Sequence, residues 1–161
     1  MDVAKIYDQF GERMYHYLSI KLGSAQDAED ILQEVFYRLM KNPLRLRFVR
    51  DPSAYLFRAA RNEALRLLTR RASDRRYFAR TLELQDVLRE SLTEADRDER
   101  DRAARALAGI PEEQREVLVL KLYEDLTFKE IASICGLSLN TAASRYRYGL
   151  EKVREIMEEG R

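Results

Sequence analysis

The sequence predicts an all-α fold in which two small helical domains are joined by a flexible linker. Helix-breaking residues are scarce, with 6 Gly and 3 Pro in 161 residues, and apolar residues recur at helical spacing in two separate stretches. Between these stretches the apolar pattern thins and acidic residues dominate. We therefore expect one domain over residues 1–73, a linker over 74–101 and a second domain over 102–161, with no shared core.

Three helices are expected in the N-terminal domain. Ser24 is followed three residues later by Asp27, a variant of the capping box, which predicts the start of the second helix. Asp51 followed by Pro52 places an N-cap before a proline at the first helical position, which predicts the start of the third. The basic sequence PLRLRFVR between them is expected to be a loop or short turn. The predicted helices cover about residues 2–22, 24–41 and 51–71.

The linker is expected to be partly helical, especially over 74–90, whereas SLTEADRDERD (91–101) has the composition of a solvated segment. Beyond it, three short helices and a final long one are expected in the C-terminal domain. A T-x-x-E capping box at Thr127 and a serine N-cap at Ser138 predict the starts of the last two helices. The predicted helices cover about residues 102–108, 111–123, 127–135 and 138–158.

Several classes of protein are excluded by composition. A single Cys allows no internal disulfide, and one His with one Cys leaves no credible zinc cluster, so no metal site is expected. No apolar run is long enough to span a membrane, and the N-terminus lacks the apolar core of a signal peptide. We therefore expect a cytoplasmic protein without membrane insertion. His16 and Cys135 are interpreted as packed side chains rather than as reactive groups.

Residues 127–150 are predicted to form a helix-turn-helix. Two capped helices flank a three-residue turn, and Gly136 lies where the turn requires a positive φ. If the apolar residues face inward, the second helix presents a polar row able to contact base edges and phosphates in a major groove. An ordinary helical hairpin with a polar surface is the alternative interpretation. The outward row is Asn140, Thr141, Ser144, Arg145, Tyr148 and Lys152.

The charge distribution indicates a second nucleic-acid surface. The net charge is only +1, yet residues 38–80 carry 13 basic and 3 acidic side chains, while residues 81–101 carry 3 basic and 8 acidic ones. Arginines alternate with aromatic residues in the basic stretch, and aromatic faces can hold bases taken out of a duplex. Any single arginine can still be a solvated charge. Arg58, Arg61 and Asn62 are expected to share one helical face.

Three motifs together resemble the extracytoplasmic-function (group 4) sigma factors of the sigma-70 family. DAEDILQEVFYRLM is similar to their region 2.2 helix, and DPSAYLFRAARNEALRLLTRR resembles regions 2.3 and 2.4. LAGIPEEQREVLVLKLYEDLTFKEIASICGLSLNTAASRYRYGLEKVR resembles region 4. These motifs cover more than half of the chain, in the order that the family has, with a linker between them.

The resemblance implies a transcription initiation factor that binds core RNA polymerase and promoter DNA. The β′ clamp helices of the polymerase would dock on a polar face of the second helix, formed by Asp30, Gln33 and Glu34. The melted −10 element would be captured by the loop 43–51 and by Tyr55, Arg58, Arg61 and Asn62. The −35 element would be read as duplex by Asn140, Thr141, Ser144, Arg145, Arg147 and Tyr148.

The resemblance also implies an anti-sigma factor as a partner, and no catalytic residue, cofactor or small-molecule substrate. One departure concerns Ala143, which stands where many members of the family carry Lys or Arg. A potential base or phosphate contact is thereby removed, so a promoter preference cannot be copied from other members.

Three alternatives remain at this point. A plain helix-turn-helix regulator would need neither the basic N-terminal domain nor the DAEDILQEVF helix. A sigma mimic that only sequesters an anti-sigma factor should lose its basic face, which this chain keeps. An enzyme would need an arrangement of acid and base groups that the sequence does not indicate.

Overall fold

The computed structural model is helical throughout the parts of the chain that it describes, which are residues 2–72, 77–92 and 96–160, with 77–82 as backbone. These residues form eight α-helices and one 3₁₀ segment, and they contain no strand. The predicted all-α fold is thus confirmed. The elements are α1 (Val3–Leu22), α2 (Ala25–Lys41), the 3₁₀ segment (Pro43–Phe48), α3 (Pro52–Arg71), α4 (Tyr77–Ser91), α5 (Arg97–Ala108), α6 (Glu112–Leu122), α7 (Phe128–Cys135) and α8 (Leu139–Glu159).

Side-chain caps fix the helix starts where the sequence predicts them. The Ser24 hydroxyl accepts the Asp27 N–H at 3.2 Å, and the Asp51 carboxylate accepts the Ala54 N–H at 3.1 Å. Each cap satisfies a backbone donor that has no partner inside its helix. Gly23 ends α1 in the left-handed conformation with φ 64°, which costs little without a Cβ atom.

The N-terminal unit is a three-helix bundle of α1, α2 and α3, with the 3₁₀ segment packed beside α2. Met14 and Leu18 of α1 are fully buried, as is Phe57 of α3. The apolar stripe of α2 completes this core with Leu32 and Val35. The bundle therefore presents the opposite, polar face of α2 to solvent.

The C-terminal unit consists of α5, α6, α7 and α8. Helices α6 and α8 cross closely at Gly149, where a Cβ atom would lie 3.1 Å from the Gln114 Cβ and 3.2 Å from the Leu118 Cδ1. The Gln114 Cβ is bonded directly to the backbone of α6 and cannot move aside. Gly149 therefore allows α6 and α8 to approach to a distance that a larger residue would prevent.

The predicted linker contains more helix than its composition indicates. Leu84 and Leu88 of α4 are buried, and α5 begins at Arg97, inside the segment that we expected to be solvated. The reason is electrostatic: the Asp96 carboxylate caps α5 by accepting the Glu99 N–H at 2.8 Å, and acidic residues in a first turn are favoured by the helix dipole. Residues 73–76 and 93–95 lie outside the described residues, so the domain boundary at 73/74 stays a prediction.

The expectation that the two units do not share a core is wrong. The buried apolar side chains of both units form one continuous cluster, in which α7 packs against α3 and α6 against α1. The cause is visible in α6, where the consecutive residues 116–120 are all buried. A helix that is buried on all sides must have neighbours on all sides. Helix α8 covers only one side of α6, and α1 of the N-terminal unit packs on another.

The packing of α4 yields a first prediction. Leu88 is 1% exposed, so Leu88→Ala is expected to lower the free energy of unfolding by about 2–5 kcal/mol. The exposed Glu90 on the same helix provides the control, since Glu90→Ala should change stability by less than about 0.5 kcal/mol. Urea titration followed by circular dichroism measures both. Equal stability of the two variants would show that α4 does not pack in solution.

Candidate nucleic-acid interface

Helices α7 and α8 form the predicted helix-turn-helix. The Thr127 hydroxyl accepts the Glu130 N–H at 3.1 Å, which caps α7. Gly136 ends that helix with φ 66°, as the turn requires, and Ser138 caps α8 by accepting the Thr141 N–H at 3.1 Å. Cys135 is buried beside the turn, and burial raises the pKa of its thiol to about 12. Its thiol therefore stays protonated and is a packing group.

The outer side of α8 carries the six residues predicted for the upstream promoter element. Their helical spacing places them within one side of α8. The Arg147 guanidinium lies 5.0 Å from the centre of the Tyr148 ring, a cation–π geometry. The side is accessible: Asn140, Arg147 and Tyr148 are exposed, while Thr141, Ser144 and Arg145 are half-buried.

A second surface lies between α2, the 3₁₀ segment and α3. It surrounds an open cavity of about 180 Å³, which Tyr55 and Asn62 line together with arginines of all three elements. Leu44 and Phe48 belong to the same 3₁₀ segment as the lining residue Arg45 and are 61% and 86% exposed. Exposed apolar side chains that form a patch with polar neighbours can mark a binding site. The combination suits an unpaired nucleic-acid strand, with apolar faces for bases and cations for phosphates.

The four residues predicted for the −10 element do not all reach this cavity. Arg61 points to the C-terminal unit, where its Nε donates to the Glu116 carboxylate at 2.6 Å. Arg58, one turn earlier on α3, also points to the C-terminal unit. Its Nε donates to the Ser133 carbonyl at 3.2 Å, and its Nη2 donates to the Ser133 hydroxyl. The structure thus keeps Tyr55 and Asn62 at the cavity and brings both arginines to the contact between the units.

Glu116 is the centre of a buried cluster that joins the units, here named the Glu116 cluster (Tyr17, Lys21, Arg61 and Glu116). Its carboxylate accepts from the Tyr17 hydroxyl at 2.7 Å and from the Lys21 ammonium at 3.1 Å, besides Arg61. Burial alone would raise the pKa of Glu116, but Lys21 and Arg61 hold that pKa below its ordinary value. Burial and the neighbouring Glu116 charge raise the pKa of Tyr17. The carboxylate is therefore ionised in its buried site.

A smaller cluster lies nearby, here named the Glu124 cluster (Arg13, His16 and Glu124). The Arg13 Nε donates to the Glu124 carboxylate at 3.2 Å, and its Nη2 donates to the Glu124 carbonyl at 2.8 Å. The His16 Nδ1 lies 3.0 Å from the other carboxylate oxygen, with its ring edge-on to Tyr123. His16 is thus a packed, half-buried side chain, as interpreted from the sequence.

Sequence reasoning missed both clusters, because their partners are about 50 to 110 positions apart along the chain. A local signal existed only for α6, whose run VLVL follows Glu116 directly. Four consecutive apolar residues leave a helix no solvated face, which indicates a neighbour on each side. The identity of that neighbour could not be inferred from α6 alone.

The polar face of α2 lies on the far side of the N-terminal bundle. Asp30, Gln33 and Glu34 are all exposed and line a groove with Tyr7, Tyr37 and Met40. Met40 is apolar and follows the buried Leu39, yet it is 67% exposed. Successive residues of a helix are offset by about 100°, so Met40 lies about 100° around α2 from the buried Leu39, at the border of the polar face.

Neither metal nor membrane chemistry is indicated within residues 2–72, 77–92 and 96–160. That part of the chain contains no group of three or more side chains suited to hold a metal ion. None of its helices is long and apolar enough to cross a bilayer.

A helix-turn-helix with a polar outer side, joined to a helical bundle with a basic, partly apolar surface, is typical of a two-part nucleic-acid-binding protein. The comparisons with known proteins agree with this class. Residues 6–74 match the family model "Sigma-70 region 2", and residues 100–153 match "Sigma-70, region 4".

Relatives match along nearly the whole chain. The RNA polymerase sigma factor SigZ of Bacillus subtilis is 24% identical over 98% of this chain and 88% of its own length. The ECF RNA polymerase sigma factor RpoE of Cereibacter sphaeroides is 29% identical over 96% and 85%. The chain therefore belongs to the sigma-70 family, as an RNA polymerase sigma factor of the extracytoplasmic-function (ECF) type.

Solved structures share the fold. The sigma factor RpoE in complex with the anti-sigma factor NepR, from Bartonella quintana, has a TM-score of 0.74 at 18% identity, with 98% of each chain covered. CnrH in complex with the cytosolic domain of CnrY has a TM-score of 0.69 at 23% identity, with 98% of this chain and 88% of that chain covered.

Proposed function

We propose that the chain binds core RNA polymerase through α2, reads the −35 element as duplex through α8 and holds the melted −10 strand on α3 and the 3₁₀ segment. The observation that carries this proposal is the presence, on two units of one chain, of two chemically different surfaces that each suit a different form of nucleic acid. One is polar and helical, suited to a groove; the other combines exposed Phe48 and Leu44 with arginines, suited to unstacked bases.

The −35 contact rests on the outer side of α8. Asn140, Thr141, Ser144, Arg145, Arg147 and Tyr148 provide hydrogen-bonding and cationic groups within the first turns of the helix, where a recognition helix enters the major groove. Ala143 is half-buried among them and offers no polar contact, so the base preference depends on its neighbours.

The −10 contact rests on the loop 43–51 and on Tyr55, Arg58, Arg61 and Asn62. Tyr55 and Asn62 line the open cavity, which supports a role in holding bases. Arg58 and Arg61 lie on the adjacent part of α3 and would neutralise phosphates once the C-terminal unit no longer engages them.

The polymerase contact rests on Asp30, Gln33 and Glu34. The groove that they share with Tyr7, Tyr37 and Met40 combines exposed apolar side chains with acidic groups. Such a mixture is typical of a protein-docking site. We propose the clamp helices of the β′ subunit as its occupant.

We further propose that the protein acts in the cytoplasm, where polymerase and DNA are, and that it acts by binding, without a catalytic step or cofactor of its own. An anti-sigma factor is proposed as a regulatory partner. A solved structure of similar fold is a sigma factor in complex with an anti-sigma factor, which supports this proposal.

Runoff transcription with core polymerase and genomic promoter fragments tests the function directly. Specific transcripts are expected only when the protein is added. A protein that merely sequesters an anti-sigma factor would bind that factor yet yield no transcript on any fragment, and that result would overturn the proposal.

The docking site yields a prediction for the polymerase. Gln33→Ala with Glu34→Ala is expected to weaken binding to core polymerase without loss of helicity, because both side chains are exposed and leave no cavity. A pull-down with core polymerase measures affinity, and circular dichroism checks the fold. Glu12→Ala, at an exposed site on α1, serves as control. Unchanged affinity of the double variant would remove the docking assignment.

The recognition helix yields a prediction for the duplex. Arg145→Ala should cost about 1–3 kcal/mol of binding and relax base preference at the upstream element if Arg145 contacts a base. A phosphate contact would instead give a similar loss on all promoters and a shallower salt dependence. Binding to a set of singly substituted promoters at several salt concentrations separates these cases. No loss on any promoter would exclude Arg145 from the interface.

The basic helix yields a prediction for strand opening. Arg58→Ala with Arg61→Ala should spare duplex binding through α8 but impair open-complex formation, because cations on α3 would no longer hold the melted strand. Permanganate footprinting of unpaired thymines on a responsive promoter is the measurement. Normal opening by the double variant would mean that these arginines do not contact the strand.

A further inference from the structure

Two neighbouring residues on the outer side of α8 are in contact with each other. The Arg147 guanidinium carbon lies 5.0 Å from the centre of the Tyr148 ring, and both side chains are exposed. Resting on the proposed role of α8, we propose that Tyr148 is a positioning residue, whose ring holds the Arg147 guanidinium ready to read a guanine in duplex DNA. The pair thereby determines which base the upstream element requires at one position.

The Arg147 guanidinium has its hydrogen-bond donors available for a ligand. Within the part of the chain that the structure describes, its side chain has no ion pair and no hydrogen bond to the protein. Glu151, one turn later on the same side, has the i+4 spacing of a helical ion pair, yet the guanidinium lies over Tyr148 instead. A guanidinium held on an aromatic face keeps its planar fork of N–H donors. Arg147 can therefore bind a pair of acceptors.

The position of Arg147 on α8 suits the reading of bases. Asn140, Ser144 and Arg147 recur one turn apart and share one stripe of the helix. Arg147 lies about 10 Å beyond Asn140 along the helix axis, so the two residues meet different base pairs. Ala143, one turn before Arg147, offers no polar group. Arg147 is thus the cation of this stripe.

The backbone that carries Tyr148 is held against the core of the C-terminal unit. The next residue is Gly149, at which a Cβ atom would lie 3.1 Å from the Gln114 Cβ and 3.2 Å from the Leu118 Cδ1. Helix α8 cannot roll against α6 without closing this approach. Because an aromatic side chain has only two χ angles, a fixed backbone gives the Tyr148 ring few positions. The ring is therefore a suitable support for Arg147.

The chemistry of the bases makes guanine the expected partner. Arginine donates two parallel hydrogen bonds to guanine O6 and N7 in the major groove, whereas adenine has an amino donor where guanine has O6. A guanidinium that is already oriented loses less conformational entropy when it binds. Tyr148 therefore strengthens the discrimination for guanine through Arg147, without a base contact of its own.

The first test is a selection of binding sequences from a library of duplex DNA with a randomised segment. The full-length protein is used alone and together with core polymerase. The wild type should prefer guanine at one position by about 5- to 150-fold, and Arg147→Ala should lose that preference while it keeps the others. Arg154→Ala makes the same charge change at an exposed position further along α8. This control should lower affinity without a change in base preference.

Variants of Tyr148 separate positioning from direct contact. Tyr148→Phe keeps the ring and should keep the guanine preference. Tyr148→Leu removes the ring and should lower the preference about two- to fivefold at the same position. In the Arg147→Ala background, Tyr148→Leu should change nothing further, because its effect passes through Arg147. Tyr148 is 50% exposed, so these variants leave no cavity, and circular dichroism verifies their helices.

The contact itself can be measured by NMR without DNA. The aromatic ring should shift the side-chain proton resonances of Arg147 upfield. The shift should persist in Tyr148→Phe and disappear in Tyr148→Leu. Tyr15→Leu, at an exposed tyrosine of α1, is the matched control and should leave both the shift and the base preference unchanged.

Loss of the guanine preference in Tyr148→Phe, or a change at another base pair in Tyr148→Leu, would show that Tyr148 contacts DNA itself and would overturn the inference. A wild type without any guanine preference that depends on Arg147, alone and with polymerase, would also overturn it. Runoff transcription separates these results from failure of the proposed function. Normal transcripts without such a preference would leave the sigma activity intact, whereas a guanine preference that depends on Tyr148 would support the inference even without transcripts.

Discussion

The ionised carboxylate of Glu116 determines how the two helical units meet. Because it is buried, it needs compensation, and Tyr17, Lys21 and Arg61 supply it from α1 and α3. The three partners lie on two helices of the other unit, so the position of α6 is fixed against both. The contact of α7 with α3, and with it the bond between Arg58 and Ser133, follows from that placement.

This contact divides the proposed surfaces into accessible and covered ones. The polar face of α2 and the outer side of α8 are open to partners, and so are Asn62 and the exposed side chains of the 3₁₀ segment. Arg58 and Arg61 of α3 are instead held by the C-terminal unit. The surfaces proposed for polymerase and duplex are thus accessible, whereas the surface proposed for the melted strand is accessible only in part.

The helices and the −35 surface could be predicted because their signals are local. Ser24, Asp51 and Ser138 each cap a helix through a backbone N–H three residues away, and the polar side of α8 follows from helical spacing alone. The contact between the units could not be predicted. Glu116 is one of three glutamates at the start of α6, and only partners far along the chain decide which one is buried. Helical spacing alone separates Arg61 from Tyr55, because six positions along α3 leave the two side chains about 120° apart around the helix.

The net charge of the chain is only +1, and ion pairs in the structure show where opposite charges meet. Part of the positive charge of the basic stretch is compensated within the protein, because Glu63 pairs with Arg38 and Arg66 while Glu116 pairs with Arg61. Long-range attraction to DNA is thereby reduced. A phosphate that replaced Glu116 at Arg61 would exchange one anion for another and add no new type of interaction. The direction of such an exchange would depend on which of the two anions the rest of the assembly holds closer to Arg61.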